Sequence, residues 1–238
     1  MYFDFADEAY KENKDLITRK EEQEKGIHTT WIEVLKDDNY YQKKKGFYVS
    51  LEIKDMMLRK QVIAWEEKVK SVIKNILRKH HYTKKKKVLI VGLGNEEYLS
   101  DALGPKVIQE IYATKHLLSQ EVFSSLAPIC AIDPGVTSKT GMETASIIQA
   151  LVKKEKFSFV IVIDSLATMS IERLYKVIQI TDTGIEPGSG VQNHRLSIHE
   201  KSIGCPVISI GVATVVESAS LIYDMMEKLQ VENLSIHE

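Results

Sequence analysis

The chain has 238 residues, and its 32 lysine and arginine residues nearly balance its 33 aspartate and glutamate residues, giving a formal net charge of -1. With 44% hydrophobic and 27% charged residues, it is a folded protein able to bury a core, which excludes a disordered tail or a small peptide scaffold. The balanced charge predicts no direct nucleic-acid partner. The N-terminus lacks a signal-like progression and no run of eighteen apolar residues occurs, so we expect a cytoplasmic protein without membrane contact.

The first eighty residues contain one strongly charged segment and three segments with a regular apolar pattern. Residues 11–25 hold ten charged side chains and two large apolar ones, so we expect a solvated helix or a mobile arm. Residues 27–35 and 47–53 are rich in β-forming residues and predict a hairpin. Seven apolar side chains at spacings of one, three and four residues then predict an amphipathic helix ending near His80, namely Val62, Trp65, Val69, Val72, Ile73, Ile76 and Leu77.

From residue 84 the chain alternates short buried strands with helices. The predicted strands are 88–91, 159–163, 177–180 and 206–210, and the predicted helices are 104–118, 142–154 and 215–229. This alternation predicts an α/β fold with a doubly wound, mostly parallel sheet flanked by helices, an α/β/α sandwich. We therefore divide the chain into an N-terminal extension, residues 1–83, with a charged arm, a β-hairpin and a helix, and an α/β core, residues 84–238, on which it packs.

A glycine-containing turn and an aspartate follow the first strand of this core. Gly92 and Gly94 suggest a dinucleotide loop, but the third glycine of that fingerprint is missing. Asp101 stands shortly before Pro105, which falls in the first turn of the next predicted helix, and this spacing favours a helix N-cap. The alternative role of Asp101 is a functional carboxylate at the carboxyl end of the strand.

A second aspartate follows the second strand of the core. Asp164 ends the apolar run 159–163, where a parallel strand delivers a side chain to the ligand crevice; its alternative role is to accept hydrogen bonds from loop amides. If the two strands are neighbours, Asp101 and Asp164 face one another. Two close carboxylates share a proton, so such a pair is suited to polarise a water while protonating a leaving group. This chemistry permits amide hydrolysis without a nucleophilic side chain.

Two loops and a metal site extend these possibilities. Residues 133–144 form a turn and helix start that present hydroxyls and a carboxylate, and residues 181–195 are rich in glycine and hydroxyl side chains. The second loop either wraps an extended peptide or merely crosses the sheet. A divalent metal held by the two aspartates, with His194 or His199, is an alternative to an acid pair.

Four ordered motifs in this chain resemble the germination protease family of spore-forming bacteria. The motifs are 91–95 with 101–105, 134–136 with 140–144, 163–167 with 170–173, and 178–185 with 187–191. The resemblance covers roughly residues 4–229 and includes a looser match at 46–52. It implies a peptidase of atypical aspartic type, related in fold to the hydrogenase maturation proteases.

The resemblance implies an endopeptidase of the spore core that degrades small acid-soluble spore proteins during germination, is made as a zymogen and assembles as a tetramer. It implies that Asp101 and Asp164 are the catalytic pair; in the maturation proteases the matching positions bind metal. We expect no cofactor, with a divalent metal at the two aspartates as the alternative. A catalytically inactive relative that binds a peptide or protein is the third reading. The expected substrate-binding residues are Asn95, Glu143, Thr144, Asp182, Thr183, Ser189, Asn193 and Arg195.

Overall fold

The computed structural model describes residues 4–8, 17–37, 43–187 and 196–217, together with residues 222 and 226. Its strands are β1 (Ile17–Glu24), β2 (Ile27–Val34), β3 (Gly46–Ile53), β4 (Val88–Gly92), β5 (Ile129–Ile132), β6 (Phe159–Thr168), β7 (Val177–Thr181) and β8 (Val207–Val216). The α-helices are α1 (Arg59–Lys79), α2 (Leu103–Glu110), α3 (Thr137–Thr140), α4 (Thr144–Glu155) and α5 (Glu200–Ile203). Short 3-10 helices span Leu99–Asp101, Lys115–Leu117, Glu121–Phe123 and Ile171–Arg173.

The eight strands form one mixed sheet in the order β1-β2-β3-β7-β8-β6-β4-β5. The pairs among β8, β6, β4 and β5 are parallel, whereas those from β1 through β2, β3 and β7 to β8 are antiparallel. The expectation of a mostly parallel sheet is therefore wrong. The reason is that β7 follows β6 after a short link, residues 169–176, whereas a parallel return needs a crossover of a dozen or more residues.

The charged N-terminal segment supplies an edge strand. Residues 17–24 form β1, which pairs antiparallel with β2, so the interpretation as a solvated helix or mobile arm is wrong for these residues; residues 11–16 lie outside the described part. An edge strand needs only one paired side, so most of its charged side chains remain exposed while its backbone pairs with β2. β2 pairs antiparallel with β3, and β3 pairs with β7, so the sheet continues across the predicted boundary between residues 83 and 84.

Helices pack on both faces of the sheet. The predicted amphipathic helix is confirmed as α1, which buries Trp65, Val72 and Ile76 against apolar side chains of β2, β3, β7 and β8. α2 packs on the same face, against β4 and β6. On the opposite face, α4 and α5 cover β4, β6 and β8. No helix among the described residues is long and apolar enough to cross a membrane.

Three predicted helices differ from the structure at their ends. α2 ends at Glu110, not near residue 118, because the chain then pairs with β5: the Thr114 amide donates to Ile129 O at 2.9 Å, and the Ile129 amide donates to Thr114 Oγ1 at 3.0 Å. The strand β5 itself was not predicted. α4 begins at Thr144 rather than at residue 142. The helix predicted from residue 215 is wrong at 215 and 216, which continue β8, and most of its remainder lies outside the described residues.

Candidate active site

Asp164 lies within β6 rather than at its end. The strand continues to Thr168 because β8 pairs with it along this length, with Asp164 opposite Gly211. On the other side, β4 stops at Gly92, which pairs with Ile163, so Asp164 is the first residue beyond the end of its neighbour. Its side chain is buried, and Oδ1 accepts a hydrogen bond from the Ser165 amide at 2.8 Å. The Asp164 carboxylate therefore lies next to the carboxyl end of β4.

Asp101 lies in the loop that leaves β4. It ends the 3-10 helix that precedes α2, and its carboxylate turns back to accept a hydrogen bond from the Asn95 amide at 2.8 Å. The residue at the N-cap of α2 is Ala102, and no side chain caps that helix. The helix-cap interpretation of Asp101 is therefore wrong. The hydrogen bond from the Asn95 amide holds the Asp101 carboxylate against the loop that follows β4.

Glycines allow this loop to fold tightly against β4. Gly94 has φ +119, and a Cβ there would lie 2.0 Å from Asp101 O. A Cβ on Gly104 would lie 2.1 Å from Leu93 O, and one on Gly92 would lie 2.2 Å from Gly104 O. These residues serve close backbone approach between β4 and α2, which places Asp101 back over the strand end.

Hydrogen bonds connect the loop that carries Asp101 to β6, the strand that carries Asp164, and to β8. β4 and β6 are neighbours, and the Leu93 amide donates to Ile163 O at 2.8 Å just beyond their ladder. Thr214 of β8 donates to Ser100 O at 2.6 Å, which fixes the 3-10 helix that carries Asp101. Both aspartates therefore lie beside the carboxyl end of β4, in the part of the molecule where open α/β sheets bind ligands.

A polar cavity of about 50 Å³ lies on the sheet face that Asp164 presents. Side chains alternate along a strand, so Asp164 and Leu166 share a face, and Gly211 beside Asp164 belongs to the cavity wall. The polar side chains that line it include Lys43, Tyr48, Gln179, Thr181, Thr183 and Ser209. The Ser209 Oγ is buried and has no hydrogen-bond partner among the described residues. The cavity thus offers polar groups next to the aspartate site.

Burial sets the ionisation of two side chains in this cavity. Desolvation lowers the pKa of Lys43 to about 8, and the negative charges of Asp4 and Glu186 oppose this shift. Its Nζ donates to Asp4 O at 3.0 Å. Burial also raises the pKa of Tyr48, whose hydroxyl donates to Lys44 O at 2.9 Å and accepts from Thr183 at 3.0 Å. The cavity therefore holds an ammonium group that is costly to keep charged.

The structure separates the predicted substrate-binding residues into different places. Thr183 lines the cavity, and Asn95 lies in the aspartate loop. Glu143 and Thr144 begin α4 on the Asp164 face of the sheet. Three predicted residues, Ser189, Asn193 and Arg195, lie outside the described residues.

Asp182 has contacts of a structural kind. Its carboxylate is almost fully buried and accepts hydrogen bonds from the Phe47 amide at 2.7 Å and from Lys79 at 3.1 Å, with His80 Nε2 at 3.3 Å. These contacts tie the end of α1 to β3 and β7. Asp182 does not line the cavity that Thr183 lines.

The histidine expected near a metal has another contact. His199 Nδ1 accepts a hydrogen bond from the Ser202 amide at 3.0 Å and caps α5, while its companion candidate His194 lies outside the described residues. Within the described part of the chain, no three His, Cys, Asp or Glu side chains are grouped as metal ligands.

Residues 4–8 pack beside the cavity, and one of them, Asp4, lines it; the sequence did not predict this contact. Asp4 lines the cavity and accepts a hydrogen bond from the Ala167 amide at 2.8 Å, while Phe5 is fully buried. Arg173 pairs with Asp7 at 2.7 Å and with Glu8 at 2.6 Å. Desolvation raises the pKa of Glu8, although Arg173 opposes this. The acidic N-terminus gave no periodic signal, and its partner Arg173 is far away in sequence.

Comparison with known proteins shows which proteins this chain is similar to. A family model described as germination protease matches residues 3–231. A germination protease of Caldanaerobacter subterraneus is 40% identical over 234 residues, which are 95% of this chain and 72% of the relative. One from Bacillus cereus is 39% identical, covering 92% of this chain and 62% of the relative, and one from Clostridium tetani is 37% identical, covering 92% and 69%.

The chain belongs to the germination protease family, and the resemblance drawn from its four motifs is confirmed. It spans 62% to 72% of the length of these three relatives.

Proposed function

We propose that this chain is an endopeptidase that hydrolyses small acid-soluble spore proteins during germination, with Asp101 and Asp164 activating a water molecule. The observation that carries the proposal is the contact of the Asp101 segment with β6 and β8 beside the carboxyl end of β4, on the sheet next to a cavity lined by polar side chains. The family supports a peptidase role. The spore core as location and assembly as a tetramer belong to the same proposal.

The chemistry follows from the sharing of one proton by two carboxylates. One aspartate, ionised, takes a proton from the water that attacks the peptide carbonyl. The other, protonated, donates its proton to the leaving amide nitrogen. Each carboxylate accepts one backbone amide hydrogen bond at 2.8 Å, so burial is what distinguishes them: Asp164 is buried, which favours its neutral form, whereas Asp101 is only half-buried. We therefore assign Asp101 as the base and Asp164 as the acid.

The cavity beside Asp164 supplies the substrate-facing wall. Asn95 and Glu143 are proposed to hold an extended peptide beside the carboxyl end of β4, while Thr183 contacts it farther along the cavity, towards Ser209. Among the described residues, no three His, Cys, Asp or Glu side chains are grouped as metal ligands; a divalent metal held by the same two aspartates is the alternative to the acid pair.

Cleavage of a small acid-soluble spore protein tests the proposal. We expect the protein to produce discrete internal fragments by mass spectrometry, and Asp101→Asn and Asp164→Asn each to reduce the rate by at least about 10³-fold. Asparagine keeps the volume and one acceptor oxygen of each side chain, so melting temperatures should change little. Asp55→Asn is the matched control, because Asp55 also accepts a loop amide hydrogen bond, from Met57 at 2.8 Å, but lies away from the site.

Undiminished cleavage by either active-site variant would refute the roles assigned to the aspartates. Loss of cleavage after exhaustive chelation, with recovery on adding a divalent metal, would replace the acid pair with a metal centre on the same residues. Saturable binding of the spore protein without any product would identify a binding protein instead.

A further inference from the structure

The near-neutral charge of the chain hides a strongly basic segment. Residues 68–87 contain nine lysine and arginine residues, two histidines and no aspartate or glutamate. The overall balance predicts no nucleic-acid partner, but an average over 238 residues does not describe a local surface. The structure shows which of these cations are already engaged.

Five of the nine cations are held by neighbouring groups. The engaged cations are Lys68 with Glu22 at 3.1 Å, Lys70 with Glu67 at 2.7 Å, Lys79 with Asp182 at 3.1 Å, Lys87 with Glu155 O at 3.0 Å, and Lys86 over the Phe159 ring at 5.3 Å. The Lys70–Glu67 pair lies within α1, and the other four contacts join α1 and the following turn to the sheet and to the end of α4.

The remaining cations are Lys74, Arg78, Lys84 and Lys85, which we call the basic surface. All four are exposed, and within the described residues no carboxylate pairs with any of them. Arg78 donates to the amide oxygen of Asn75 at 3.4 Å, which leaves its charge uncompensated. Mutual repulsion among four such cations is relieved by an anionic partner.

The backbone brings the four cations together. Lys74 and Arg78 are one turn apart on α1, about 6 Å along the axis, on the face opposite the buried Trp65, Val72 and Ile76. The turn that carries Lys84 and Lys85 folds back on the helix end, because the Tyr82 amide donates to Leu77 O at 2.9 Å. The four cations therefore lie on a helix end and the turn that adjoins it.

The basic surface lacks the groups that other anionic partners use. None of the large exposed hydrophobic side chains among the described residues falls within 68–87, whereas protein interfaces rely on apolar and aromatic anchors. Single-stranded nucleic acid needs exposed aromatic rings for stacking, but the Tyr82 ring is packed edge-on against Phe159 at 5.6 Å. A phosphate backbone needs only cations at the surface.

We propose that the basic surface binds the phosphate backbone of double-stranded DNA without sequence preference. The major groove of B-DNA admits a helix, so the outward face of α1 fits along its edge, whereas the deep, narrow major groove of duplex RNA does not. This binding is independent of the peptidase chemistry, since the basic surface and the aspartates lie on different elements.

Fluorescence anisotropy with a labelled 20-base-pair DNA duplex tests this proposal. We expect the logarithm of the binding constant to fall with the logarithm of salt concentration with a slope of roughly -3 to -4, as for about four phosphate contacts. The variant K74Q/R78Q/K84Q/K85Q should bind at least about tenfold more weakly at 50 mM salt and with a shallower slope. A matched variant with the same charge change elsewhere, K54Q/K153Q/K154Q/K201Q, should bind like the unchanged protein.

Melting curves establish that both variants are folded, and cleavage activity is not part of the readout. Equal weakening by the two variants would show a general charge effect and overturn the proposal. Competition by poly-glutamate as strong as by DNA would assign the surface to an acidic protein, and preference for an RNA duplex would overturn the groove assignment. Absence of binding at 50 mM salt would likewise overturn it.

Discussion

Gly104 shows how a missing side chain determines the position of a functional one. A Cβ at this residue would lie 2.1 Å from Leu93 O and 2.4 Å from Leu93 N, both backbone atoms that cannot move aside without displacing β4. Gly104 therefore sets the distance between α2 and the strand. Asp101 stands three residues before Gly104, in the 3-10 helix that precedes α2, so the position of its carboxylate depends on that distance.

Gly104→Ala should consequently lower stability and activity together. We expect a loss of about 3 kcal/mol in the free energy of unfolding, at the upper end for overpacking, because the obstacle is backbone. Cleavage should fall with it, since the Asp101 loop moves. Denaturant unfolding and a cleavage assay measure the two effects.

Gly204→Ala is the control for the residue scale. Gly204 has φ +90 but no atom near its Cβ position, so alanine there costs backbone strain of about 1 kcal/mol and leaves cleavage intact. If Gly104→Ala is as active and stable as the Gly204 variant, the close approach between β4 and α2 does not position Asp101.

At the scale of elements, residues 4–8 are held by a cluster that joins three parts of the chain. Arg173 pairs with Asp7 and Glu8 of this segment and lies 3.3 Å from Glu52 of β3. The guanidinium also lies 4.9 Å from the centre of the Phe5 ring. Because one cation compensates several part-buried carboxylates, its loss leaves them uncompensated.

Arg173→Met should therefore destabilise the fold by about 3 to 5 kcal/mol at neutral pH. In the variant the pKa of Glu8, which desolvation already raises, rises further above its unfolded value because Arg173 no longer opposes the shift. The resulting penalty is present at neutral pH and fades as the pH falls through the acid range, because the carboxylates become protonated. The free energies of unfolding of the variant and of the unchanged protein, compared at pH 7 and at pH 4, measure how far the difference between them decreases.

Lys70→Met is the control, since Lys70 forms an exposed pair with Glu67 and its removal should leave stability nearly unchanged. A deficit for Arg173→Met that stays the same at both pH values would mean that lost packing, not unpaired charge, is responsible.

The elements differ in how far the sequence could predict them. α1 and the strand cores of β4, β6, β7 and β8 follow from apolar periodicity, which depends only on neighbouring residues. The edge strands β1 and β5 could not be predicted, because one is masked by charged side chains and the other is only four residues long. The direction of β7 depends on a link length that apolar runs do not encode.

The candidate site could likewise be predicted only in part from the sequence. The position of Asp164 after an apolar run pointed to the crevice, whereas Asp101 had a plausible local role as a cap that only the observed hydrogen bond to Asn95 removes. The contacts of Asp4, Lys43 and Arg173 join distant segments, so no local pattern reports them. Polar groups that pair across long sequence distances therefore cannot be predicted from local sequence patterns.

At the scale of the whole molecule, one sheet connects regions with different tasks. The parallel end carries the two aspartates, while the antiparallel end carries β1 to β3 and, with α1, the basic surface. β7 and β8 join the two halves and supply the floor of the cavity. A substrate held over the cavity would therefore lie against both halves of the sheet.

The central claim is that Asp101 and Asp164 act as one catalytic unit, and a double-mutant cycle on spore-protein cleavage measures this directly. Rates are compared for the unchanged protein, Asp101→Asn, Asp164→Asn and the variant with both changes. If the pair works as a unit, the double variant loses little more activity than either single variant. Single losses that multiply in the double variant, or full activity in either single variant, would contradict a shared role.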